Sequence, residues 1–167
     1  MADKTIILTD RQIDQKIQRI AHQIHELVFS EKEIFVVGIE KNGVEFANRL
    51  TRVLGEISNV KINQCAIGIQ KDKPSANEVR FDGDLSAIKN KTVFLVDDVI
   101  NSGRTLIYAV QYLLDAYPKQ LKTATLVDRI HRRFPIRADF VGLTLSTNLK
   151  EHVDVDFTPG KEAAYLE

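Results

Sequence analysis

The residues with the clearest chemical potential form one stretch, Val93–Thr105, which reads VFLVDDVINSGRT. An apolar run is followed by two adjacent carboxylates, Asp97 and Asp98, and then by the polar turn Asn101–Thr105. The backbone N–H groups of such a turn, with the start of the helix predicted after it, can surround an anion, and Gly103 allows a phosphate close to the backbone. The acidic pair would repel that phosphate unless it faced sugar hydroxyls or a bound cation. The stretch therefore predicts a sugar-phosphate site.

A structural explanation of the same stretch is also available. Two acids and a glycine-containing turn can simply end a strand and cap a helix, and an isolated Asp-Asp pair is more often structural than functional. The complete string, from hydrophobic strand to helix, is harder to explain by capping alone. A Walker-type phosphate loop is not an alternative, because the sequence contains no GxxxxGK[ST].

Two helices are predicted before this stretch. Thr9–Gln12 has the pattern of a capping box at a helix start. Apolar residues then recur at the spacing of one helical face: Ile13, Ile17, Ile20, Ile24 and Leu27. A second helix is expected after Asn42-Gly43, and a third over Leu106–Ala116.

Short apolar or β-rich runs predict the strands, and continuous apolar runs are typical of strands buried on both faces. These runs are Ile34–Ile39, Val60–Ile69, Thr92–Val96, Lys122–Val127 and Phe140–Leu145. Alternation of strands and helices predicts an α/β protein with a mostly parallel sheet flanked by helices. Ligands of such sheets bind at the carboxyl ends of the strands, where the acidic pair is expected.

Bulk composition indicates one soluble, cytoplasmic domain over residues 1–167. Lys plus Arg and Asp plus Glu both number 23 in 167 residues, so net charge favours neither nucleic acid nor membrane. The single Cys65 cannot form an internal disulfide, which fits a reducing compartment. No apolar run approaches the roughly 20 residues of a membrane span, and the first ten residues lack a signal-peptide core.

The string DDVINSGRT after a hydrophobic strand resembles the phosphoribosyl pyrophosphate (PRPP) signature of type I phosphoribosyltransferases. Further segments are similar, in the same order, to the PyrR branch, the bifunctional pyrimidine-operon attenuators and uracil phosphoribosyltransferases. These segments are Arg19–His22, Val37–Ile39, Leu126–Arg129, His131-Arg132 and Pro135–Gly142.

The resemblance implies a fold, a reaction and partners. The fold is that of type I phosphoribosyltransferases, with a small hood built from the C-terminal part. The reaction is a Mg²⁺-dependent pentosyl transfer in which PRPP and uracil give UMP and pyrophosphate. Relatives are usually homodimers or larger, and the branch also binds leader mRNA to regulate pyrimidine genes.

The resemblance also assigns roles to residues. Asp97 and Asp98 would be catalytic, holding the ribose hydroxyls directly or through metal-bound water. The remaining roles fall into three sets. Val99, Ile100, Asn101, Ser102, Gly103, Arg104 and Thr105 would hold the ribose and 5′-phosphate; Glu40, Lys41, Asn42 and Gly43 the pyrophosphate; Asp128, Arg129, Ile136 and Arg137 the base.

The chain departs from the branch pattern in three loops. The phosphate loop reads Val99-Ile100-Asn101-Ser102-Gly103 where the branch favours Leu-Tyr-Thr-Gly. Lys41-Asn42-Gly43 stands where relatives usually carry Thr-Arg-Gly, which exchanges an arginine fork for a lysine, and lysine and arginine bind phosphate differently. The closure loop would be Ile69–Lys73, without the usual Tyr-Arg, and Lys71 or Lys73 could replace the lost cation. Lys41 could equally be a solvated lysine at a helix start.

Two positions bear on the choice of base. Purine-using relatives tend to have an aspartate general base where Asn101 stands, and an amide is a poor proton acceptor near neutral pH. They also tend to have a lysine where Asp128 stands, and an ionised carboxylate offers only acceptors. Both residues favour a pyrimidine, although Asp128 could simply form an ion pair with Arg129 or Arg137.

A basic segment, Lys122–Lys150, lies inside the neutral chain. Residues that match the RNA-binding face of the branch are Arg19, His22, His131, Arg132 and Arg137. The same cluster could instead be a solvated face, neutralise substrate phosphates or form a subunit contact. The sequence thus leaves an enzyme, a nucleotide-sensing RNA-binding attenuator with little catalysis, and a purine-salvage phosphoribosyltransferase open.

Overall fold

The computed structural model describes residues 3–70 and 79–167. Most of the predicted polar stretch Gln70–Asn77, including Lys71 and Lys73, lies outside the described residues. The helices are α1 (Asp10–Val28), α2 (Asn42–Ile57), α3 (Leu85–Ile88) and α4 (Arg104–Leu114). The strands are β1 (Thr5–Thr9), β2 (Glu33–Ile39), β3 (Lys61–Gly68), β4 (Arg80–Phe81), β5 (Thr92–Ile100), β6 (Gln120–Asp128), β7 (Phe140–Thr144), β8 (Val153–Asp156) and β9 (Ala163–Leu166).

The predicted capping box begins α1. The backbone N–H of Gln12 donates to Thr9 Oγ1 over 3.3 Å, and the Thr9 N–H donates to Gln12 Oε1 over 2.9 Å. The four predicted isoleucines of the apolar face are buried. Leu27 is 42% exposed, and Val28 takes its place in the core.

The main sheet has six strands in the order β4-β3-β2-β5-β6-β7, and only β4 runs antiparallel to its neighbour. Side chains alternate along each strand, so Ile34 and Val36 of β2 pack with α1 and α2, whereas Phe35 and Val37 pack with α4 on the opposite face. The α/β class and the mostly parallel sheet flanked by helices are confirmed.

Strand β5 is longer than the sequence predicted. The strand was expected to end at Val96, where its pairing with β2 does stop. Pairing with β6 continues through Val99 and Ile100, so β5 ends at Ile100. Asp97 and Asp98 therefore lie in the part of β5 that is paired with β6 but is no longer paired with β2.

A second, antiparallel sheet has the order β1-β9-β8. It joins one strand from the N-terminal end of the chain to two from the C-terminal end. Val153 and Val155 of β8 are buried in the core beneath the main sheet's α1 and α2 face. The division into one domain with a C-terminal hood stays a prediction. None of the described helices has the length and apolar character needed to cross a membrane.

Candidate active site

A cavity of about 540 Å³ opens at the carboxyl ends of β2 and β5. Its walls come from four parts of the fold: the β2–α2 loop, the end of β5 with the following turn, the β3–β4 edge, and the start of β8. The lining residues are Ile39, Glu40, Lys41, Asn42, Ile69, Arg80, Asp97, Asp98, Val99, Ile100, Asn101, Ser102, Gly103, Arg104, Thr105, Leu106, His152, Val153 and Asp154.

The acidic pair forms the floor of the cavity and is held in place by neutral donors. The Asn42 amide Nδ2 donates to Asp98 Oδ2 over 3.1 Å, and the Thr125 hydroxyl donates to the Asp98 carbonyl over 3.1 Å. The backbone N–H of Asp98 donates to Asp97 Oδ1 over 2.9 Å. These bonds orient the carboxylates while leaving both residues partly exposed to the cavity.

The turn after β5 has the geometry of an anion site. Gly103 is the N-cap of α4 with φ of 84°, a left-handed conformation that favours glycine, and no side chain caps the helix. A Cβ on Gly103 would also lie 2.7 Å from Ile136 Cγ2. The first N–H groups of a helix have no acceptor within it. At the start of α4 the Arg104 N–H donates to Ser102 Oγ over 3.3 Å, and Gly103, Arg104 and Thr105 all line the cavity.

The β2–α2 loop forms the wall next to the acidic pair. Gly43 approaches β5 so closely that a Cβ there would lie 3.0 Å from both the Val96 carbonyl and Asp97 Oδ1. Lys41 is exposed at the N-cap of α2, and the peptide bond between Glu40 and Lys41 is cis. The cavity thus brings together Glu40, Lys41 and Asn42 with all of the predicted ribose and 5′-phosphate residues, and Gly43 lies directly behind them.

The predicted base residues lie outside the cavity lining. Asp128 is 5% exposed; it pairs with Arg132 and accepts from the Ile130 N–H over 3.1 Å. The ion pair offered as an alternative for Asp128 therefore exists, with Arg132 as its partner in place of Arg129 or Arg137. Ile136 packs against Gly103, and Arg137 is exposed.

Arg129 is a buried hub behind the phosphate turn. It is 7% exposed, and its guanidinium donates to Asn101 Oδ1 over 2.7 Å and to Thr147 Oγ1 over 3.1 Å. It also donates to the carbonyl of Glu151, just before β8. Because a guanidinium only donates, the Asn101 carbonyl must face Arg129, and the amide NH₂ is the group left for a ligand.

The residues matched to an RNA-binding face are not equally available. His131 contacts the Thr147 carbonyl, and Arg132 is paired with Asp128. Arg19 donates to the Val141 and Gly142 carbonyls of β7, over 3.1 and 2.8 Å. His22 and Arg137 are exposed.

Besides Ile39 and Leu106, which adjoin predicted site residues, sequence reasoning missed four lining residues, Arg80, His152, Val153 and Asp154. Arg80 follows a stretch without periodicity, and no motif marks it. His152 directly precedes β8, and Val153 and Asp154 begin it; this strand is too short to give a clear alternating pattern. The only available signal was the expected C-terminal hood, which predicts a wall but not its residues.

The donor set fits a magnesium ion that arrives with a phosphate ligand. Within residues 3–70 and 79–167, no three His, Cys, Asp or Glu side chains cluster so as to hold a metal by themselves. Asp97 and Asp98 nevertheless offer hard oxygen donors on the cavity floor. Mg²⁺ usually binds one or two carboxylates, with substrate phosphates and water completing its shell.

Comparison with known proteins gives concordant matches. The phosphoribosyl transferase domain matches residues 4–158. The Bifunctional protein PyrR of Clostridium novyi (strain NT) is 35% identical over 165 residues, 93% of this chain and 91% of the relative. That of Brevibacillus brevis is 37% identical over 162 residues, 93% and 90% of the two chains.

Solved structures share the fold. A hypoxanthine-guanine phosphoribosyltransferase from Bacillus anthracis superposes with a TM-score of 0.71 at 27% identity, covering 86% of this chain and 83% of the other. The hypoxanthine phosphoribosyltransferase of Trypanosoma cruzi superposes with a TM-score of 0.78, covering 97% and 95%, at 23% identity. The second likeness concerns the fold alone.

Proposed function

The chain belongs to the phosphoribosyltransferase family, in its PyrR-like branch, and we propose that it transfers the phosphoribosyl group of PRPP to uracil, giving UMP and pyrophosphate. The observation that carries this proposal is the shared cavity of the acidic pair and the phosphate turn. Asp97 and Asp98 line the same cavity as the start of α4, whose N-cap is Gly103, and Lys41 lies on the neighbouring wall. A ribose 5-phosphate needs this combination of acceptors and N–H donors.

In the proposed reaction the bond between ribose C1 and the pyrophosphate oxygen breaks, the bonding electrons leave with pyrophosphate, and C1 forms a bond to a uracil nitrogen whose proton is released to water. Positive charge develops on the ribose ring and negative charge on the leaving pyrophosphate. Asp97 and Asp98 accept from the ribose hydroxyls and favour the cationic ring, and the N–H groups at Gly103–Thr105 fix the 5′-phosphate. Mg²⁺, held by Asp97 and Asp98 through water, would neutralise charge on the pyrophosphate.

The choice of a pyrimidine rests on Asn101. Its carbonyl accepts from Arg129, so the group left for the base is an NH₂ donor, which cannot accept a proton from a purine nitrogen. Asp128 and Arg129 remain proposed base residues. Neither lines the cavity, so they would act on the base through neighbouring lining residues. A purine substrate is the competing proposal, supported by the structural neighbours that use hypoxanthine or guanine.

A pyrophosphate-release screen with PRPP and Mg²⁺ tests the reaction and the base together. Uracil should support release, and orotate, cytosine, hypoxanthine and guanine should not. Asp98→Asn should lower kcat/KM by about 10²-fold or more, since it removes a charge that stabilises the transition state. Asp115→Asn, at the exposed end of α4, is the matched control. If pyrophosphate is released only with a purine, the substrate base is that purine and the assignment of uracil is wrong.

A second proposed activity is binding of a leader RNA modulated by UMP or UTP. It is supported by the exposed Arg137 and His22 and by the kinship with proteins called bifunctional. Arg137→Ala should reduce the slope of log affinity against log salt by about one, since it removes one phosphate contact. Arg132→Ala should change the slope less, because Asp128 already neutralises that arginine. No binding at low salt would dismiss this activity.

We also propose that the protein forms a homodimer or a larger homo-oligomer and that it is cytoplasmic. Light scattering after size-exclusion chromatography would test the assembly. A monomer at micromolar concentration would contradict it.

A further inference from the structure

Two residues of the cavity lining, Arg80 and Glu40, form an ion pair that the sequence did not predict. Arg80 Nη2 of β4 donates to Glu40 Oε2 of the β2–α2 loop over 2.8 Å. Both residues line the cavity that holds Lys41 and the acidic pair. The contact joins the edge of the main sheet to the loop predicted to receive pyrophosphate.

The fold makes room for this pair. Arg80 is the register partner of Gly68 on β3. A Cβ on Gly68 would lie 2.9 Å from Glu40 Cδ and 3.0 Å from Arg80 Nε, so a larger residue there would displace both side chains. The absence of a side chain at Gly68 lets the carboxylate and the guanidinium meet directly over the β3 backbone.

The charges of the wall explain what the pair does. Four described lining residues, Glu40, Asp97, Asp98 and Asp154, are acidic, yet pyrophosphate carries several negative charges. Besides Arg80, the lysine and arginine side chains among the described lining residues are Lys41, in the loop where relatives usually carry an arginine, and Arg104 on the phosphate turn. Arg80 supplies a guanidinium that can bind phosphate through two parallel N–H donors.

We propose that Arg80 is a pyrophosphate-binding residue of this site, held by Glu40 until the pyrophosphate of the substrate replaces that carboxylate. This inference rests on the proposed function. The Arg80 side chain is 78% exposed, so its pair with Glu40 contributes little to stability and can exchange for a more highly charged partner. Glu40 neutralises Arg80 in the free protein and competes with the ligand.

The competition predicts effects of opposite sign on binding of inorganic pyrophosphate with Mg²⁺, measured by titration calorimetry. Arg80→Ala should weaken binding about 10-fold or more, as expected for a lost charged hydrogen bond. Arg80→Lys should lie between the wild type and Arg80→Ala. Glu40→Gln should tighten binding, because it removes the competing charge. Arg52→Ala, at an exposed position of α2, should bind as the wild type does.

Opposite signs separate a binding role from a merely structural one. If Arg80→Ala and Glu40→Gln both weaken binding and lower the melting temperature alike, the pair is structural and the inference is wrong. Unchanged binding by Arg80→Ala also overturns it. Failure of the proposed function is visible separately, as wild-type protein that binds pyrophosphate through Arg80 but releases none from PRPP with any base.

Discussion

Among single residues, Asn42 ties three parts of the candidate site together. Its Nδ2 donates to Asp98 Oδ2 over 3.1 Å and to the Val155 carbonyl of β8 over 2.8 Å. One amide therefore orients a proposed catalytic carboxylate and anchors the small sheet beside the cavity. Asn42 stands where relatives in the branch usually carry arginine. In this chain the position holds a neutral amide that orients Asp98, and the cation of the loop is Lys41, one residue earlier.

Asn42→Asp should impair PRPP use more than Asn42→Ala. The alanine variant loses two hydrogen bonds, whereas the aspartate places a second negative charge against Asp98. We expect KM for PRPP to rise about 10-fold in the alanine variant and further in the aspartate variant. Steady-state kinetics would measure both, with Asn59→Asp, in an exposed loop, as the control. Equal KM values for the two variants would contradict the charge argument.

Arg129 is expected to contribute more to the stability of the fold than Asn42 does. Arg129→Ala removes the donors for Asn101, Thr147 and the Glu151 carbonyl and leaves buried acceptors unpaired. We expect the free energy of unfolding to fall by about 3 kcal/mol. Urea denaturation would measure this loss. Arg133→Ala, four residues along and exposed, should change stability by less than about 0.5 kcal/mol.

Between elements, the junction of β2 and α2 is the most tightly constrained. A Cβ on Gly38 would lie 2.8 Å from both the Gly43 carbonyl and Val44 Cα, which are backbone atoms that cannot move aside cheaply. The turn from strand to helix therefore packs onto the end of its own strand. This close return places Asn42 and Lys41 at the cavity.

Alanine substitution at two glycines should have opposite effects on thermal stability. Gly38→Ala should lower the melting temperature and raise KM for PRPP, because the loop must shift. Gly55→Ala, inside α2 with no atom within 4 Å of its new Cβ, should stabilise the protein by about 0.5–1 kcal/mol. Scanning calorimetry would decide, and stabilisation by Gly38→Ala would show that the loop is less tightly packed than the structure indicates.

Across the whole molecule, the two ends of the parallel strands carry different chemistry. The carboxyl ends hold the cavity, and the amino ends hold an ionic seam. There Glu31 contacts Lys119 at 2.6 Å and Glu33 contacts Lys91 at 2.9 Å. The hydrogen bond from Lys119 lowers the pKa of Glu31 below its usual value, and that from Lys91 lowers the pKa of Glu33.

These lowered pKa values predict an acid-dependent loss of stability. A carboxyl whose pKa is lower in the folded state stabilises the fold above its unfolded pKa, here about 4.5, and loses that contribution as pH falls through the folded pKa. The double variant Glu31→Gln, Glu33→Gln should therefore show a flatter dependence of unfolding free energy on pH below about 4.5. Glu56→Gln, exposed at the end of α2, should keep the wild-type slope. Urea titrations at several pH values would compare them.

The sequence by itself determined the features that depend on neighbouring residues. The capping box at Thr9, the apolar face of α1 and the alternation of strands with helices follow from local hydrogen bonding and periodicity. The stretch from Asp97 to Thr105 is contiguous, so its carboxylates and its phosphate turn had to lie at one end of the same strand. The fold class and the ribose-phosphate part of the site could therefore be predicted from the sequence.

Only the tertiary structure decided which distant side chains meet. Arg129 and Asn101 are 28 residues apart, Arg80 and Glu40 are 40 apart, and Asn42 and Val155 are 113 apart. The length of β5 was set in the same way, by continued pairing with β6 after β2 had ended. Such contacts depend on strand order and packing, which residue types and spacing do not encode locally. For that reason the wall that holds Arg80 against Glu40, and the burial of Asp128 and Arg129 behind the phosphate turn, emerged only from the folded chain.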